Sequence, residues 1–343
     1  MSNGTFSRFM GTLLLFLFIS DDLASQSRDT SSVRMMFYNV ENFFDVYDDT
    51  LRDDNDFLPE GLMHWNYERY RKKINSVYKV ITAAGGWSPP AIIGFCEIEK
   101  RSVLEDLIFD TYLTKYGYGI VHEESPDRRG IDVCLIYRKD IAKLLEYHYF
   151  LPRDLTGPES RTRTVLYTRW LIKDDTIHLF LNHWPSKRGG VLPGEPSRIS
   201  ISRMLKVKVD SLIEIENGHA KIIIAGDFNS SPHDTAVTSL LAAGPGDHGL
   251  INLSDHYPEK GEGSYRYMGS WEMPDQVIVS EWLMKCDSGF TTSREHFRIF
   301  KPDFLLREDS KYPGYSPFST YQGYRYQVGF SDHLPLILDL ILK

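Results

Sequence analysis

Polar side chains stand at the ends of short apolar segments in this sequence, and their chemical types suit reactions at phosphate. The nine residues are Asn39, Glu97, Asp132, His183, Asp227, Asn229, Asp275, Asp332 and His333. Nearly all offer oxygen or imidazole donors and none is a cysteine, which favours a hard cation such as Mg²⁺ or Mn²⁺ over structural zinc. Such a cation would neutralise a phosphate while a carboxylate or a histidine takes the proton of an attacking water. The set therefore predicts hydrolysis of a phosphate ester.

The segment at residues 221–234, KIIIAGDFNSSPHD, indicates how the chain would present such groups. It opens on an apolar run that predicts a buried strand, and Gly226 ends the run. Asp227 and Asn229 follow at the carboxyl end of this strand, where ligands collect in open α/β sheets. Taken alone, the two residues are more typical of a turn that caps the next helix.

Glu97 lies inside a second apolar run, at residues 91–98, which also predicts a buried strand. A carboxylate in such a run is costly unless it is paired or binds a cation. Glu97 is therefore predicted to be functional even without its neighbours.

The elements that must position these residues alternate between strands and helices through much of the chain. Strand-like runs cover residues 33–40, 91–98, 118–123, 132–138, 164–172, 176–184, 221–225, 275–280 and 334–342. Apolar spacing predicts helices over residues 67–84, 102–116, 197–216 and 234–243. Because consecutive strands also occur, a mixed-sheet α/β fold fits better than a doubly wound parallel one.

The chain of 343 residues carries a formal net charge of -8 and has the composition of a globular protein. It can bury a large core as one domain or a tightly joined pair. The net charge gives no general attraction for nucleic acid, so phosphate contacts must come from local basic groups or a bound cation. The basic candidates are Arg128, Arg129, Lys187 and Arg188, with a solvated basic turn as the alternative for each.

The N-terminus has the pattern of a secretory signal. Arg8 precedes an apolar run at residues 10–19, and small or polar residues follow around Ala24. This predicts a signal peptide at residues 1–25, a catalytic domain at residues 26–343, and export to the periplasm or the medium without a permanent membrane span. An uncleaved N-terminal anchor is the alternative. Cys96, Cys134 and Cys286 are expected to be core thiols.

Seven motifs occur in an order that resembles the endonuclease/exonuclease/phosphatase superfamily. They are NVENFFD, GFCEIEK, RRGIDVCLIYR, LNHWPSKRGG, IIIAGDFNSSP, MPDQVIVS and FSDHLPLIL, and the resemblance runs from about Val33 to the C-terminus. The superfamily includes pancreatic-type DNases, abasic-site endonucleases, sphingomyelinases and inositol-polyphosphate 5-phosphatases, and the chain is similar to its bacterial exported, endonuclease-like branch. The resemblance implies an α/β (α+β) fold like that of DNase I, a four-layer sandwich of two packed mixed β-sheets flanked by helices.

The resemblance also implies roles for individual residues. Glu97 would be the principal Mg²⁺ ligand, with Asn39 and Asp332 close to the same ion, and Mn²⁺ or Ca²⁺ are the alternative metals. Asp227 would orient or deprotonate the attacking water. Asn229 would hold that water and a phosphate oxygen.

Two histidines complete the implied site. His333 would hydrogen-bond the scissile phosphate with its ring held by Asp275. His183 would act from the other side, with Asp132 as its orienting carboxylate. A carboxylate partner fixes the tautomer of an imidazole and raises its basicity. For Asp132 a solvated turn residue is the alternative.

Three acidic residues beside these motifs receive no catalytic role. Glu41 and Asp45 are expected in supporting or loop positions. Glu99 is expected to face away from the partners of Glu97 or toward solvent.

We therefore expect an endonuclease-like phosphodiesterase that cuts DNA or RNA by in-line attack of an activated water, as a monomer without a stable protein partner. A phosphatase or phospholipase C-like enzyme on an inositol-phosphate or sphingolipid head group is the alternative. An inactive binding module on the same fold is the alternative of another class. Residues 289–309 and 312–326 combine aromatic and basic side chains that would stack bases or, alternatively, pack on themselves.

Overall fold

The computed structural model describes residue 1 and residues 31–152, 162–186, 191–242 and 249–343. Residues 2–25 of the expected signal peptide, together with Lys187 and Arg188, lie outside this part of the chain. Within it, no helix has the length and apolar character needed to cross a bilayer.

The described residues form nineteen strands and five α-helices. In chain order the strands are β1 Ser32–Phe43, β2 Ile92–Ile98, β3 Tyr118–Val121, β4 Asp132–Arg138, β5 Lys143–Phe150, β6 Val165–Ile172, β7 Asp175–His183, β8 Ile222–Asp227, β9 Leu250–Asn252, β10 Tyr265–Tyr267, β11 Ser270–Glu272, β12 Asp275–Ser280, β13 Phe290–Thr291, β14 Phe297–Ile299, β15 Leu306–Glu308, β16 Tyr315–Pro317, β17 Tyr321–Gln322, β18 Arg325–Tyr326 and β19 Leu336–Leu342. The helices are α1 Tyr67–Gly85, α2 Arg101–Phe109, α3 Val191–Ile215, α4 Thr235–Leu241 and α5 Glu281–Lys285.

Two mixed sheets hold most of these strands. The first has the order β13-β19-β1-β2-β4-β3, with β14 also paired to β19, and the second has the order β5-β6-β7-β8-β12-β9. Each sheet has one parallel pair, β1 with β2 in the first and β7 with β8 in the second. The parallel pairs bring the carboxyl ends of neighbouring strands together, which is where ligand sites form in such sheets.

The two sheets pack face to face and are covered by helices on their outer faces. Between the sheets lies a core of aliphatic and aromatic side chains that includes Phe37, Ile92 and Leu181. The sheets approach so closely at Gly94 that a Cβ atom there would lie 2.6 Å from Leu181 Cδ1. Helices α1 and α2 cover the first sheet, and α3 and α4 cover the second. This is the four-layer sandwich that the resemblance implied.

Helix α1 shows how the sequence pattern produces this packing. Asn66 caps the helix, because its side-chain oxygen accepts a hydrogen bond from the Arg69 N–H at 3.1 Å. Tyr70, Ile74 and Val77 recur every three or four residues and are buried. The apolar stripe of α1 therefore faces the first sheet.

Some elements differ from the sequence prediction. Strand β5 was not predicted from the sequence, because its residues are exposed or half-buried and form no continuous apolar run. The helix predicted at residues 102–116 ends as α2 at Phe109, and a 3-10 turn over Tyr112–Tyr116 follows. Thr111 starts this turn, since its side chain accepts a hydrogen bond from the Leu113 N–H at 3.2 Å. Helix α3 begins at Val191, before the predicted start at residue 197.

The two aromatic segments of the C-terminal third form short strands. Strands β13 and β14 extend the first sheet, while β15 pairs with β16 and β17 pairs with β18 as small hairpins. Tyr312, Tyr315 and Tyr324 remain exposed on this part of the surface.

Candidate active site

The residues named from the sequence converge at one edge of the sandwich. They are Asn39 in β1, Glu97 in β2, His183 at the end of β7, Asp227 at the end of β8, Asp275 at the start of β12, and Asp332 and His333 shortly before β19. Because β12 runs antiparallel to β8, Asp275 lies directly beside Asp227. Strand β19 is antiparallel to β1, and its first residue, Leu336, lies beside Phe37, two residues before Asn39.

Asp227 lies at the centre of this group. Asn39 Nδ2 donates a hydrogen bond to Asp227 Oδ2 at 3.1 Å, which joins the two sheets. The N–H of Asn229 donates to Asp227 Oδ1 at 2.9 Å. A Cβ atom on Gly226 would lie 2.3 Å from the backbone oxygen of Asn182. Only glycine therefore lets β8 carry Asp227 so close to β7.

The backbone around the site is left-handed at four non-glycine residues. They are Glu41 with φ 53, Asn42 with φ 48, Glu97 with φ 66 and Asn229 with φ 46. Such conformations are unfavourable for L residues and cluster at functional sites. At Glu97 the register of β2 against β4 shifts, and the Asn42 N–H donates to Glu97 Oε2 at 2.8 Å. The strained turn thus fixes the Glu97 carboxylate.

His333 and Asp275 form the predicted pair. His333 Nδ1 lies 2.6 Å from Asp275 Oδ2, and Ser264 Oγ donates to the same oxygen at 2.5 Å. Burial would lower the pKa of His333, but the Asp275 carboxylate holds it well above its ordinary value. The other ring nitrogen, Nε2, lies 4.0 Å from Asp227 Oδ2 and faces the centre of the site.

His183 also faces the centre, but not with the predicted partner. Its Nε2 lies 3.8 Å from Glu97 Oε1 and 3.7 Å from Asp227 Oδ2. Its buried Nδ1 has no hydrogen-bond partner among the described residues. Burial and neighbouring positive charges hold the pKa of His183 well below its ordinary value. The ring is therefore neutral near pH 7.

Asp132 is held within its own hairpin, so the predicted hydrogen bond to His183 is not formed in the described structure. The Ser125 N–H donates to Asp132 Oδ1 at 2.9 Å, and His122 Nε2 lies 3.2 Å from Asp132 Oδ2. The turn between β3 and β4 folds over the carboxylate and supplies both contacts. Asp132 thus belongs beside the site and not to the His183 ring.

Positive charge reaches the site from two arginines. Burial would raise the pKa of Glu97, but the charges of Arg129 and Arg163 help to hold it below its ordinary value of 4.5. Burial and the Asp275 carboxylate raise the pKa of Asp227 from 3.8 to about 7. The two central carboxylates therefore differ in basicity, as an acid–base site requires.

The basic residues predicted to bind phosphate lie in different places. Arg129 Nη1 lies 3.4 Å from Asn42 Oδ1 beside the site, whereas Arg128 is exposed and bonds to Asp53 at 2.6 Å. Arg163 is buried and near the site although no sequence motif marks it. A charged residue directly before the apolar run of β6 is the only sequence signal for Arg163.

Glu97, Asn39 and Asp332 offer the oxygen donors that the resemblance assigns to Mg²⁺. Desolvation raises the pKa of Asp332, and the charge of Glu97 adds to this increase. Crowded carboxylates with little access to water are unfavourable without a compensating charge. Oxygen donors of this kind suit a hard divalent cation, so the residues present fit the expected metal.

A buried lysine and a buried glutamate beside the site, Lys73 and Glu41, were not apparent from the motifs. Lys73 on α1 donates to Thr320 Oγ1 and to Phe330 O, the latter at 2.6 Å. Glu41 accepts the N–H groups of Thr320 at 2.6 Å and Tyr321 at 3.0 Å. Burial raises the pKa of Glu41 to about 8 and lowers that of Lys73 to about 8. The pair ties β1 and α1 to the loop before the SDH motif.

Glu99 was expected to face away from the partners of Glu97 or toward solvent; it is buried and contacts Asp45 and Lys100, so the solvent-facing alternative is excluded. The Asp45 N–H donates to Glu99 Oε2 at 2.6 Å, and Lys100 Nζ lies 2.9 Å from Glu99 Oε1. Asp45 and Glu99 thus form a small supporting network with Lys100.

Comparison with known proteins gives one family and several similar folds. The model of the Endonuclease/Exonuclease/phosphatase family matches residues 34–341. D. rerio TDP2 complexed with single strand DNA product is 14% identical, with a TM-score of 0.55 over 90% of this chain and 99% of that one. The endonuclease/exonuclease/phosphatase from Bacteroides vulgatus is 15% identical, with a TM-score of 0.55 over 91% and 99% of the two chains. The human Nocturnin catalytic domain with bound sulfate anion is 16% identical, with a TM-score of 0.52 over 91% and 95%. No curated protein sequence matches this chain.

Proposed function

We propose that this chain, which belongs to the endonuclease/exonuclease/phosphatase family, is a divalent-cation-dependent phosphodiesterase that cuts DNA or RNA. The observation that carries the proposal is the arrangement of groups around Asp227. Asn39 donates to its carboxylate at 3.1 Å, and the Nε2 atoms of His183 and His333 lie 3.7 Å and 4.0 Å from it. A base and two imidazoles therefore face one small volume, as hydrolysis of a phosphodiester requires.

The residues of this chain supply the proton handling. Asp227, with a pKa near 7, is suited to take the proton of a water that attacks phosphorus. His333, held through Nδ1 by Asp275, presents Nε2 as a donor to a phosphate oxygen. The neutral His183 presents its own Nε2 from the other side of Asp227. As the water oxygen binds phosphorus, the bond to the leaving oxygen breaks and that oxygen takes up a proton.

Glu97, Asn39 and Asp332 would hold the cation. A divalent cation bound there supplies neutralisation of the phosphate charge. Arg129 adds positive charge on the same side, since it already lowers the pKa of Glu97. Mg²⁺ is the proposed ion, because the three donors are all oxygens.

Aromatic surface beside the site supports nucleic acid as the substrate. The Tyr265 ring lies 4.8 Å from the His333 ring, and an isolated β-bridge joins the two residues. Tyr267 and Tyr315 are exposed on strands that lie close together. Unpaired bases stack on aromatic side chains of this kind. The similar D. rerio TDP2 is complexed with single strand DNA product.

The test is hydrolysis by the purified protein with Mg²⁺ and with EDTA. Plasmid DNA, single-stranded DNA, RNA, inositol phosphates and sphingomyelin are offered as separate substrates. We expect Mg²⁺-dependent cleavage of a nucleic acid that Glu97→Ala abolishes and that Glu60→Ala, a change at an exposed glutamate, leaves intact. Asp332→Ala and His333→Ala should also abolish turnover while the circular dichroism spectrum stays native.

Three results would overturn this proposal. Hydrolysis of inositol phosphates or sphingomyelin alone would favour the head-group enzyme. Absence of hydrolysis of every substrate would favour an inactive binding module. Full activity of Glu97→Ala would show that the proposed metal centre is not used.

We further propose that the protein is exported and acts as a monomer. The basic and apolar pattern of the N-terminus supports cleavage after about residue 25 and a catalytic domain at residues 26–343. N-terminal sequencing of protein recovered from the periplasm or medium tests the cleavage, and light scattering tests the monomer. Recovery of uncleaved protein in the cytoplasm would contradict export.

A further inference from the structure

The carboxylate of Asp132 belongs to a separate cluster of potential metal ligands. His122, Glu124 and Asp132 each offer one donor atom, and these atoms all lie within 4.8 Å of one another. Asp132 opens β4, and the other two residues follow β3, so one antiparallel hairpin supplies the whole cluster.

Two of the donors are buried and face each other without a hydrogen bond. His122 Nε2 and Asp132 Oδ2 lie 3.2 Å apart on side chains that are only 3% and 1% exposed. Neither atom has a hydrogen-bond partner among the described residues. Two ligands of a tetrahedral Zn²⁺ with bonds of about 2.0 to 2.1 Å stand roughly 3.3 Å apart. The observed separation therefore matches two ligands of one ion.

The remaining contacts prepare the cluster for an ion. The Ser125 N–H donates a hydrogen bond to Asp132 Oδ1 at 2.9 Å, so Asp132 Oδ2 is left to bind an ion. Glu124 has a half-exposed side chain, and Arg52 Nη2 lies 3.4 Å from its Oε2. Glu124 thus provides both the third donor and the side that is open to solvent.

We propose that His122, Glu124 and Asp132 form a second divalent-cation site, best suited to Zn²⁺. One imidazole nitrogen and two carboxylate oxygens leave a fourth tetrahedral position for water. This mixed nitrogen and oxygen set differs from the all-oxygen set around Glu97, so the two sites select different cations. The proposal does not depend on the function proposed above.

An ion here would stabilise the loop between β3 and β4. This loop carries Arg129, whose Nη1 lies 3.4 Å from Asn42 Oδ1 beside the catalytic centre. The same loop contacts the acidic segment through Arg52, which donates to Asp127 O at 2.9 Å. The ion would therefore help to position Arg129 beside the catalytic centre.

The experiment counts bound Zn²⁺ and records the visible spectrum of bound Co²⁺. Metal-free full chain is loaded with Zn²⁺, passed through a desalting column and analysed by mass spectrometry of the metal, and a second sample is titrated with Co²⁺. We expect His122→Gln and Glu124→Gln each to lose one Zn²⁺ per chain and the tetrahedral Co²⁺ bands. Glu97→Gln should retain both signals, which separates this site from the catalytic one.

Matched controls keep the result interpretable. His148→Gln changes an exposed histidine on β5 and should bind Zn²⁺ like the wild type. Glu124→Gln alters a half-exposed side chain and should keep the native circular dichroism spectrum even where His122→Gln unfolds. Equal Zn²⁺ content in wild type and Glu124→Gln, or Co²⁺ bands lost only in Glu97→Gln, would overturn the proposal and leave His122 and Asp132 as a simple ion pair.

Discussion

Replacing Lys73 by methionine should destabilise the protein by about 3 kcal/mol, because the change removes a buried ammonium group that donates two hydrogen bonds. Lys73 is 2% exposed, and its ammonium donates to Thr320 Oγ1 and Phe330 O. Each hydrogen bond of a charged donor is worth about 1.5 to 3 kcal/mol. Relief from burying the ammonium offsets part of this loss. Methionine keeps the length and apolar stem of lysine, so packing on α1 is retained.

The assay is urea unfolding at pH 7, followed by tryptophan fluorescence. Lys72→Met is the matched control, because Lys72 is exposed and pairs with Glu68 in the preceding turn of α1 at 2.7 Å. That control should leave the midpoint of urea unfolding close to the wild-type value. The double variant Lys73→Met with Glu41→Gln should cost less than the sum of its single changes, since the two residues share one network.

Two outcomes would refute this reasoning. A loss below about 1 kcal/mol for Lys73→Met would mean that the buried ammonium contributes no more than an average surface pair. Strict additivity of Lys73→Met and Glu41→Gln would mean that the two side chains do not interact.

Three further predictions concern other positions. Asp275→Asn should lower kcat by about 100-fold or more, because it removes the carboxylate that holds His333. Steady-state kinetics at saturating Mg²⁺ test this, and an unchanged kcat would contradict it. Gly226→Ala should destabilise the protein by about 1 to 3 kcal/mol and reduce activity, because the new Cβ atom would overlap with the backbone oxygen of Asn182. Urea unfolding that matches the wild type would contradict this prediction. Two arginines hold the pKa of Asp339 below its ordinary value of 3.8 even though burial opposes them. The stabilisation from ionised Asp339 is therefore present above pH ~4 and is lost as the pH falls through the lower pKa of the folded state. Asp339→Asn should destabilise the protein by about 1 kcal/mol at pH 7, and this difference should shrink toward pH 3. A difference that stays constant with pH would count against this prediction.

Much of the active-site edge could be predicted because its residues break strong local patterns. Glu97 stands in an apolar run, and Asp227 follows one, so each carboxylate is conspicuous against its neighbours. Strands with such runs are buried on both faces, and their order determines which carboxyl ends meet. The alternation of these strands with amphipathic helices predicted a mixed-sheet α/β fold, whereas the four-layer arrangement was implied by the family resemblance.

What could not be predicted depends on contacts between distant or irregular segments. Asp132 was paired with His183 from the resemblance, but the turn after β3 places His122 closer to it. Lys73 occurs in an ordinary basic cluster, and only its position on the apolar face of α1 indicates burial. Strand β5 lacks an apolar run because neither of its faces is fully covered.

The pairing of β1 with β19 has a consequence for the order of the chain. Ser32 pairs with Ile341, so the first and the last strand along the described chain lie side by side. A short linker could join these strands, and new termini could be opened in an exposed loop between the sheets. Such a circular permutant would make the first sheet contiguous in sequence and bring His333 and Asn39 onto one local segment. Asp227 would remain distant in sequence from these two residues. Folding kinetics of the permutant would therefore distinguish formation of the first sheet from the docking of the second sheet, which brings Asp227 into the site.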